Sequence, residues 1–336
     1  MILIEKNSEE MEEFNLKTRV VGVDISNEST TYAIVDIRGN ILAEESFNTL
    51  DYPDVNSFVE TLSEKIVYLV EANGGYETIR SIGVSSPSAS SVSGCIENAA
   101  NLPWKGFVPL AVMLRERIGL AVGLSNDAHV SALGEYTFGS AHGMKNFIIV
   151  SLGVGLGSCF FTEGTDHKGH NGYAGEFGHT CVVVNGRQCG CGHKGCLEAY
   201  AGAKGIIQTA KELMSESGEP SLMRSLEKLS PRTIAECCDK GDKLAIEVYR
   251  RTGEMLGLGL ANYASIIDPE AIIFTGGISH AGKWLVDPTH ESFENHVFGN
   301  MRGKVKFFTS RLNDRERDVL GASALAWSVP EYSLFK

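Results

Sequence analysis

Twice along this 336-residue chain an apolar strand runs into a tight turn and returns as a second strand. In the first half "RVVGVDI" (19–25) reads as a buried strand, and "TTYAIVD" followed by "ILAEESF" around Arg38-Gly39-Asn40 reads as a hairpin. In the second half "NFIIVSL" (146–152) leads through "GVGLG" into "SCFFTEG", and "AIIFTGG" (271–277) later ends a strand in two glycines. Helical spacing fills the intervals. Val55, Phe58, Leu62, Ile66 and Leu69 recur on one face behind Asp54 as N-cap, and a long helical segment runs from about Asp242 to Ile267. "RSIGVSS" and "LAVGLS" read as further strands separated by a helix. A pattern carried once per half predicts two related α/β domains whose turns face a shared cleft. The length exceeds one typical core, and an apolar share of 43% is enough to fill two.

Composition narrows the function classes. A net charge of −12 argues against nucleic acid or an anionic membrane as partner. It still allows an anionic ligand held by backbone N–H groups and magnesium. No apolar run approaches the roughly eighteen residues of a membrane span. The opening "MILIEKNSEEMEEFNLK" lacks the basic and apolar regions of a signal peptide and reads as a loose tail, so a cytoplasmic location is expected.

Turns between paired strands bring backbone N–H groups near phosphate oxygens, and Gly153, Gly155 and Gly157 of "GVGLG" remove the Cβ obstacle. Such a string alone also fits a plain hairpin. Its pairing with "FTGGIS" and a first-half equivalent favours a nucleotide. A Rossmann dinucleotide site is disfavoured, because a strand and not a helix follows the glycines.

"CGCGHKGCLE" (189–198) crowds three thiols into a glycine-rich loop. A disulfide would leave one thiol over. A structural zinc site would use Cys189, Cys191 and Cys196 and need a fourth ligand, for which His179 of "GEFGHT" is the nearest candidate, with "TCVVV" as a returning strand. Cys95, Cys159, Cys181, Cys237 and Cys238 show no ligand spacing and read as small buried residues.

In "GLSNDAHVSALGE" (123–135) Asn126 and Asp127 sit where a strand enters a helix. Asp127 there can serve as a general base, or either residue can simply cap the helix. Glu176 and Glu198 are candidate holders of a polyol in a metal-pinned frame; the alternative is solvated or helix-start glutamates. "NAANLPW" (98–104) adds the amides of Asn98 and Asn101, with Trp104 as an apolar wall.

Together these residues resemble the ROK family (repressors, open reading frames, kinases), from about Arg19 to Ser328. The block "NGYAGEFGHTCVVVNGRQCGCGHKGCLEAY" carries that family's E-x-G-H and C-G-C-G-x-x-G-C-x-E patterns together. The resemblance implies an α/β, actin-like (hexokinase-type, ribonuclease H-like) two-domain fold with a hinged cleft. A tail would span 1–18, a smaller domain 19–124 plus about 317–330, and a larger domain with the zinc knuckle 125–316. It implies a glucokinase-like sugar kinase that uses ATP with Mg2+, binds structural Zn2+ and forms a homodimer or tetramer. By the same analogy Asp127 is the catalytic base, and Asn101, Asn126, Glu176, His179 and Glu198 face the sugar. His179, Cys189, Cys191 and Cys196 hold zinc. Asp24 with Gly153, Gly155 and Gly157, and Gly276 with Gly277, lie by the nucleotide.

Three loops depart from the family pattern. The usual D-x-G-G-T reads "DISNEST" here, with Ser26, Asn27 and Glu28 in place of the glycines and threonine. Val154 stands for the threonine of L-G-T-G-x-G, and "SSPSAS" places Ser85 and Ser88 where G-x-P-G has glycines. Two expectations therefore stand: phosphorylation of a hexose or N-acetylhexosamine, or a non-catalytic sugar-binding sensor. Family repressors carry a winged-helix domain that the 18 residues before Arg19 are too few to form, so direct DNA binding is not expected.

Overall fold

The computed structural model describes residues 17–99 and 101–330. Residues 1–16 of the expected tail lie outside the described residues. Strands β1 (Arg19–Ile25), β2 (Ser29–Asp36) and β3 (Ile41–Asn48) form an antiparallel meander, and β4 (Ile79–Ser85) follows helix α1 (Val55–Ala72). The short strands β5 (Ala89–Ser90), β6 (Cys95–Glu97) and β7 (Phe107–Val108) make a small sheet of their own. Helix α2 (Leu110–Ile118) then leads to β8 (Ala121–Ser125), which closes a five-stranded sheet in the order β3-β2-β1-β4-β8.

The second half repeats the plan. After α3 (Asp127–Thr137), β9 (Phe147–Leu152), β10 (Leu156–Thr162) and β11 (Thr165–Asp166) form an antiparallel meander. Helices α4 (Glu198–Ala201), α5 (Ala203–Glu216), α6 (Pro231–Asp239) and α7 (Lys243–Ile267) precede β12 (Ala271–Thr275). Helix α8 (Lys283–His296) leads to β13 (Lys306–Thr309), giving the order β11-β10-β9-β12-β13, and α9 (Asp314–Ser328) ends the fold. In both sheets the first strand pairs antiparallel with the second and parallel with the fourth.

Burial on both faces explains the unbroken apolar strands. From β1, Val21, Val23 and Ile25 point at Phe58, Leu62 and Ile66 of α1, whereas Val20 packs with Val319 and Leu320 of α9. From β9, Ile148, Val150 and Leu152 meet the helices of the second half, and Phe147 and Ile149 join the opposite face with Phe161. Asp54, Asn126 and Asp242 cap α1, α3 and α7 through their side chains. "TCVVV" is not a strand. No sheet edge lies alongside it, and isolated bridges Cys181–Cys196 and Gln188–Lys194 hold a compact ribbon of turns instead. Among the described residues no helix is long and apolar enough to cross a membrane.

Candidate active site

The parallel register of β1, β4 and β8 sets Asp24 beside Ser85 and Ser85 beside Ser125, at the carboxyl ends where open α/β sheets bind ligands. Asn126 and Asp127 follow directly. A cleft of about 560 Å³ opens over these ends, lined by Asp24, Ser26–Ser29, Asn101, Asp127, Gly153–Gly157, Glu176, His179, Glu198, Arg317 and Asp318. Most of the candidate residues therefore converge on one cavity.

Asp127 opens the first turn of α3, after Asn126, whose side chain accepts the Ala128 N–H at 2.8 Å. The Asp127 carboxylate is open to the cleft's solvent yet ringed by protein. That surrounding raises its pKa, opposed by the Ala128 N–H and reinforced by the charges of Asp318 and Glu176. Burial, with Asp318 beside it, pushes the Asp24 carboxyl up to about 7, against a hydrogen bond from Ser85. Ser85, at a position where the family pattern has glycine, thus gives Asp24 a partner.

The thiol loop closes on one point. Ligand atoms of His179, Cys189, Cys191 and Cys196 all lie within 4.8 Å of one another. The sulfurs of Cys191 and Cys196 are 3.6 Å apart, and Nδ1 of His179 is 3.7 Å from Sγ of Cys189. A tetrahedral zinc with Zn–S bonds of about 2.3 Å separates its sulfurs by about 3.8 Å, so the donor set and spacing fit that ion. A hydrogen bond from the His193 backbone helps hold the Cys191 thiol down at about 6, toward the thiolate a metal needs. The other imidazole nitrogen of His179, Nε2, lies 3.9 Å from Glu176 Oε2 on the cleft side. One ring can thus serve both the cluster and the cleft. Arg187 ties the knuckle to the helices behind it, through the carbonyls of Ala199 and Gly205 and the Glu212 carboxylate.

Glu198 follows the last thiol because it links the knuckle to the glycine turn. Its Oε2 accepts the Leu156 N–H at 3.0 Å, and its Oε1 is 3.8 Å from Cys189 Sγ. A Cβ on Gly155 would sit 2.5 Å from that Oε2, so glycine is the residue that lets the carboxylate reach the turn. The turn spends other donors internally. Gly153 N–H goes to Gly155 O, while Val154, at 71% exposure, faces the cleft. In "DISNEST" the Ser26 N–H donates to Ser29 O at 2.9 Å and the Ser29 N–H to Ser26 Oγ at 3.1 Å. These internal bonds leave fewer N–H groups in both turns available to a phosphate.

Some expected residues lie elsewhere. Gly276 packs on the Leu152 backbone, where an added Cβ would come within 2.5 Å of Leu152 O. Gly277 lines a separate pocket of about 390 Å³ with Arg232, Glu236, Tyr249 and His280. Asn126 faces an adjoining pocket of about 260 Å³ that shares Asp127, Gly157 and Glu176 with the cleft, together with Ser88 and Asn98, both at positive φ. Trp104 is no sugar wall: it is buried, its ring 4.3 Å from Phe58 and its Nε1 donating to Tyr52 O. No loop motif marks Arg317 and Asp318, which only the return of α9 to the first sheet brings into the cleft. Nor does any mark His129, whose Nδ1 is 3.2 Å from Asp166. Burial opposes the charge on that ring, yet the hydrogen bonds to Asp166 and Cys159 carry its pKa up to about 10.

The model of the ROK family matches residues 20–329. The chain is 32% identical over 315 residues to a glucokinase of Streptomyces coelicolor, covering 91% of this chain and 96% of that one. It is 27% identical to a xylose repressor of Caldicellulosiruptor bescii, covering 94% and 80% respectively. The crystal structure of a ROK family glucokinase from Streptomyces griseus, in complex with glucose and AMPPNP, superposes with a TM-score of 0.76 at 30% identity. That alignment covers 92% of this chain and 99% of the other, and the fold is the actin-like α/β architecture.

Proposed function

We propose that this chain, which belongs to the ROK family, transfers the terminal phosphoryl group of ATP to a hydroxyl of a hexose or N-acetylhexosamine. The observation that carries this reading is the convergence of Asp127, Asn101, Glu176, His179 and Glu198 with the glycine turn 153–157 on one cleft. Sugar phosphorylation is also what the glucokinase relatives support.

In this reading the sugar lies between Asn101, Glu176, His179 and Glu198, with its reacting hydroxyl at Asp127. The hydroxyl oxygen bonds to the terminal phosphorus as the bridging P–O bond breaks, ADP leaves with that electron pair, and the proton passes to Asp127. A carboxylate pKa raised by its protein surroundings suits a base that must accept this proton. Magnesium arriving with ATP supplies the charge that lets so acidic a cleft admit a polyphosphate. The nucleoside end would reach the pocket beside Gly277, because Thr275 of β12 pairs with Ser151 of β9, just before the glycine turn. His179, Cys189, Cys191 and Cys196 would hold zinc and so fix Glu198 and the cleft side of His179. The smaller body would comprise 19–124 plus about 317–330, closing on 125–316 about the cleft.

A second reading has its own support. The altered phosphate turns, with Glu28 and Val154 in the cleft lining, suit a chain that keeps sugar recognition without turnover, and one relative is a xylose repressor. Sugar-dependent ADP release over a panel of hexoses and N-acetylhexosamines, beside calorimetric sugar binding, separates them. ADP release with any bound sugar supports the kinase. Tight sugar binding without ADP release from any member supports the sensor.

A further inference from the structure

We infer that Arg317 is a phosphate-gripping residue of this cleft, its guanidinium engaging the terminal phosphoryl oxygens of the donor. The inference rests on the kinase reading and adds a positioning contact at a place no loop motif marks.

Its placement is fixed by close packing. Helix α9 lies against β1 so tightly that a Cβ on Gly22 would stand 2.5 Å from Val319 O and 3.0 Å from Ser323 N. On the other side, a Cβ on Gly134 of α3 would stand 3.1 Å from the Gly321 Cα. Gly22 is two residues before Asp24, and Val319 two after Arg317. The first turn of α9 is therefore held in register with the end of β1 and with the helix that begins at Asp127. Arg317 is 7% exposed, yet it lines the cleft with Asp24, Asp127 and Asp318, its Nε 2.9 Å from Asp318 Oδ1 and its Nη2 3.5 Å from Asp318 Oδ2. Asp318 thus orients the guanidinium in advance.

A second observation points to an unfilled ligand contact beside it. The Ser131 hydroxyl, one turn along α3 from Asp127, is buried, has no hydrogen-bond partner and lines the same cleft. Buried hydroxyls are seldom left so unless a ligand or ordered water completes them. In the turns Ser26, Ser29, Gly153 and Leu156 spend their N–H groups within the protein and Glu28 adds negative charge, so a phosphate bound here needs a donor from elsewhere. A planar guanidinium fork is the side chain best shaped to supply one to a phosphate. The competing view makes Arg317 a purely structural counter-charge for Asp318 and Asp24.

Calorimetry with the full chain tests this, using the magnesium complexes of ADP, a nonhydrolysable ATP analogue and inorganic tripolyphosphate. Arg317→Met should weaken the ATP analogue and tripolyphosphate by about tenfold or more, as the loss of charged hydrogen bonds implies, and ADP much less. Sugar affinity should stay near the unmodified value, while the melting temperature should fall because Asp318 loses its buried partner. Ser131→Ala should shift the ATP-analogue to ADP ratio in the same direction. If Arg317→Met does not fold, Arg317→Lys keeps the charge while breaking the fork, and should show the same selective loss in smaller measure. Equal loss of ADP and ATP analogue, or no loss, would overturn the assignment. Unmodified protein that binds neither triphosphate probe would overturn the kinase reading with it, whereas active protein unimpaired by Arg317→Met would overturn this inference alone.

Discussion

An alanine at Gly155 would set its Cβ 2.5 Å from Oε2 of Glu198 and 3.4 Å from that carboxylate's carbon. Those are its only close neighbours, and the Gly155 φ lies outside the left-handed range, so the backbone itself accepts alanine. What must move is the tip of the Glu198 side chain. Its swing strips the Leu156 N–H of a charged acceptor now 3.0 Å away, an interaction worth about 1.5–3 kcal/mol. The same swing takes Glu198 away from the polyol, so sugar affinity should fall about ten- to a hundredfold by the same charged-bond scale. All four thiol and imidazole ligands stay in place, and zinc content should not change. Sugar titration calorimetry on Gly155→Ala, Glu198→Ala and the double variant gives the cycle. The two losses should be strongly non-additive, because both act through one carboxylate. Sugar affinity within about twofold of the unmodified protein, or losses that simply add, would refute the link between knuckle, glutamate and glycine turn.

Cys191→Ser should lose the bound metal, read by elemental analysis, and weaken sugar binding through His179 and Glu198; stoichiometric zinc in that variant would contradict the ligand set. Glu28→Thr with Val154→Thr restores a hydroxyl at each turn and should tighten ATP, each charged bond contributing about 1.5–3 kcal/mol; no gain by calorimetry would show the turns are not the weak point. Asp24 titrates at about 7 when folded against an ordinary 3.8. Across that window the native state binds more protons than the unfolded one, so ligand-free stability should fall as pH rises from 4 to 7. Asp24→Asn should flatten this slope and be the more stable form at pH 8; urea unfolding at pH 5 and pH 8 with an unchanged slope would count against it.

Local signals were the legible part of this molecule. The two strand–turn–strand units, the caps Asp54 and Asn126, and the Cys3His set all follow from residues close in sequence. Long-range partners were not legible. Trp104 looked like a wall of the site until Phe58 and Tyr52, far upstream, claimed both its ring and its N–H. "TCVVV" had strand composition, but strands need a neighbouring edge and none lies beside it. No local signal marks Arg317 and Asp318, and only the seating of α9 on Gly22 turns them inward. Nor could spacing reveal that Glu198 spends one oxygen on Leu156.

The most direct test of the central proposal is the turnover of Asp127→Asn on whichever sugar the panel identifies. The substitution keeps size and N-cap capacity, and Asn126 already caps α3, so fold and sugar affinity should change little. The unmodified chain should release ADP and phosphorylated sugar in equal amounts. In Asp127→Asn, kcat should fall by roughly 10²–10⁴-fold, the scale of a lost general base. An Asp127→Asn protein that keeps most of its kcat would contradict the mechanism, and an unmodified chain that binds sugar but never releases ADP would contradict the kinase itself.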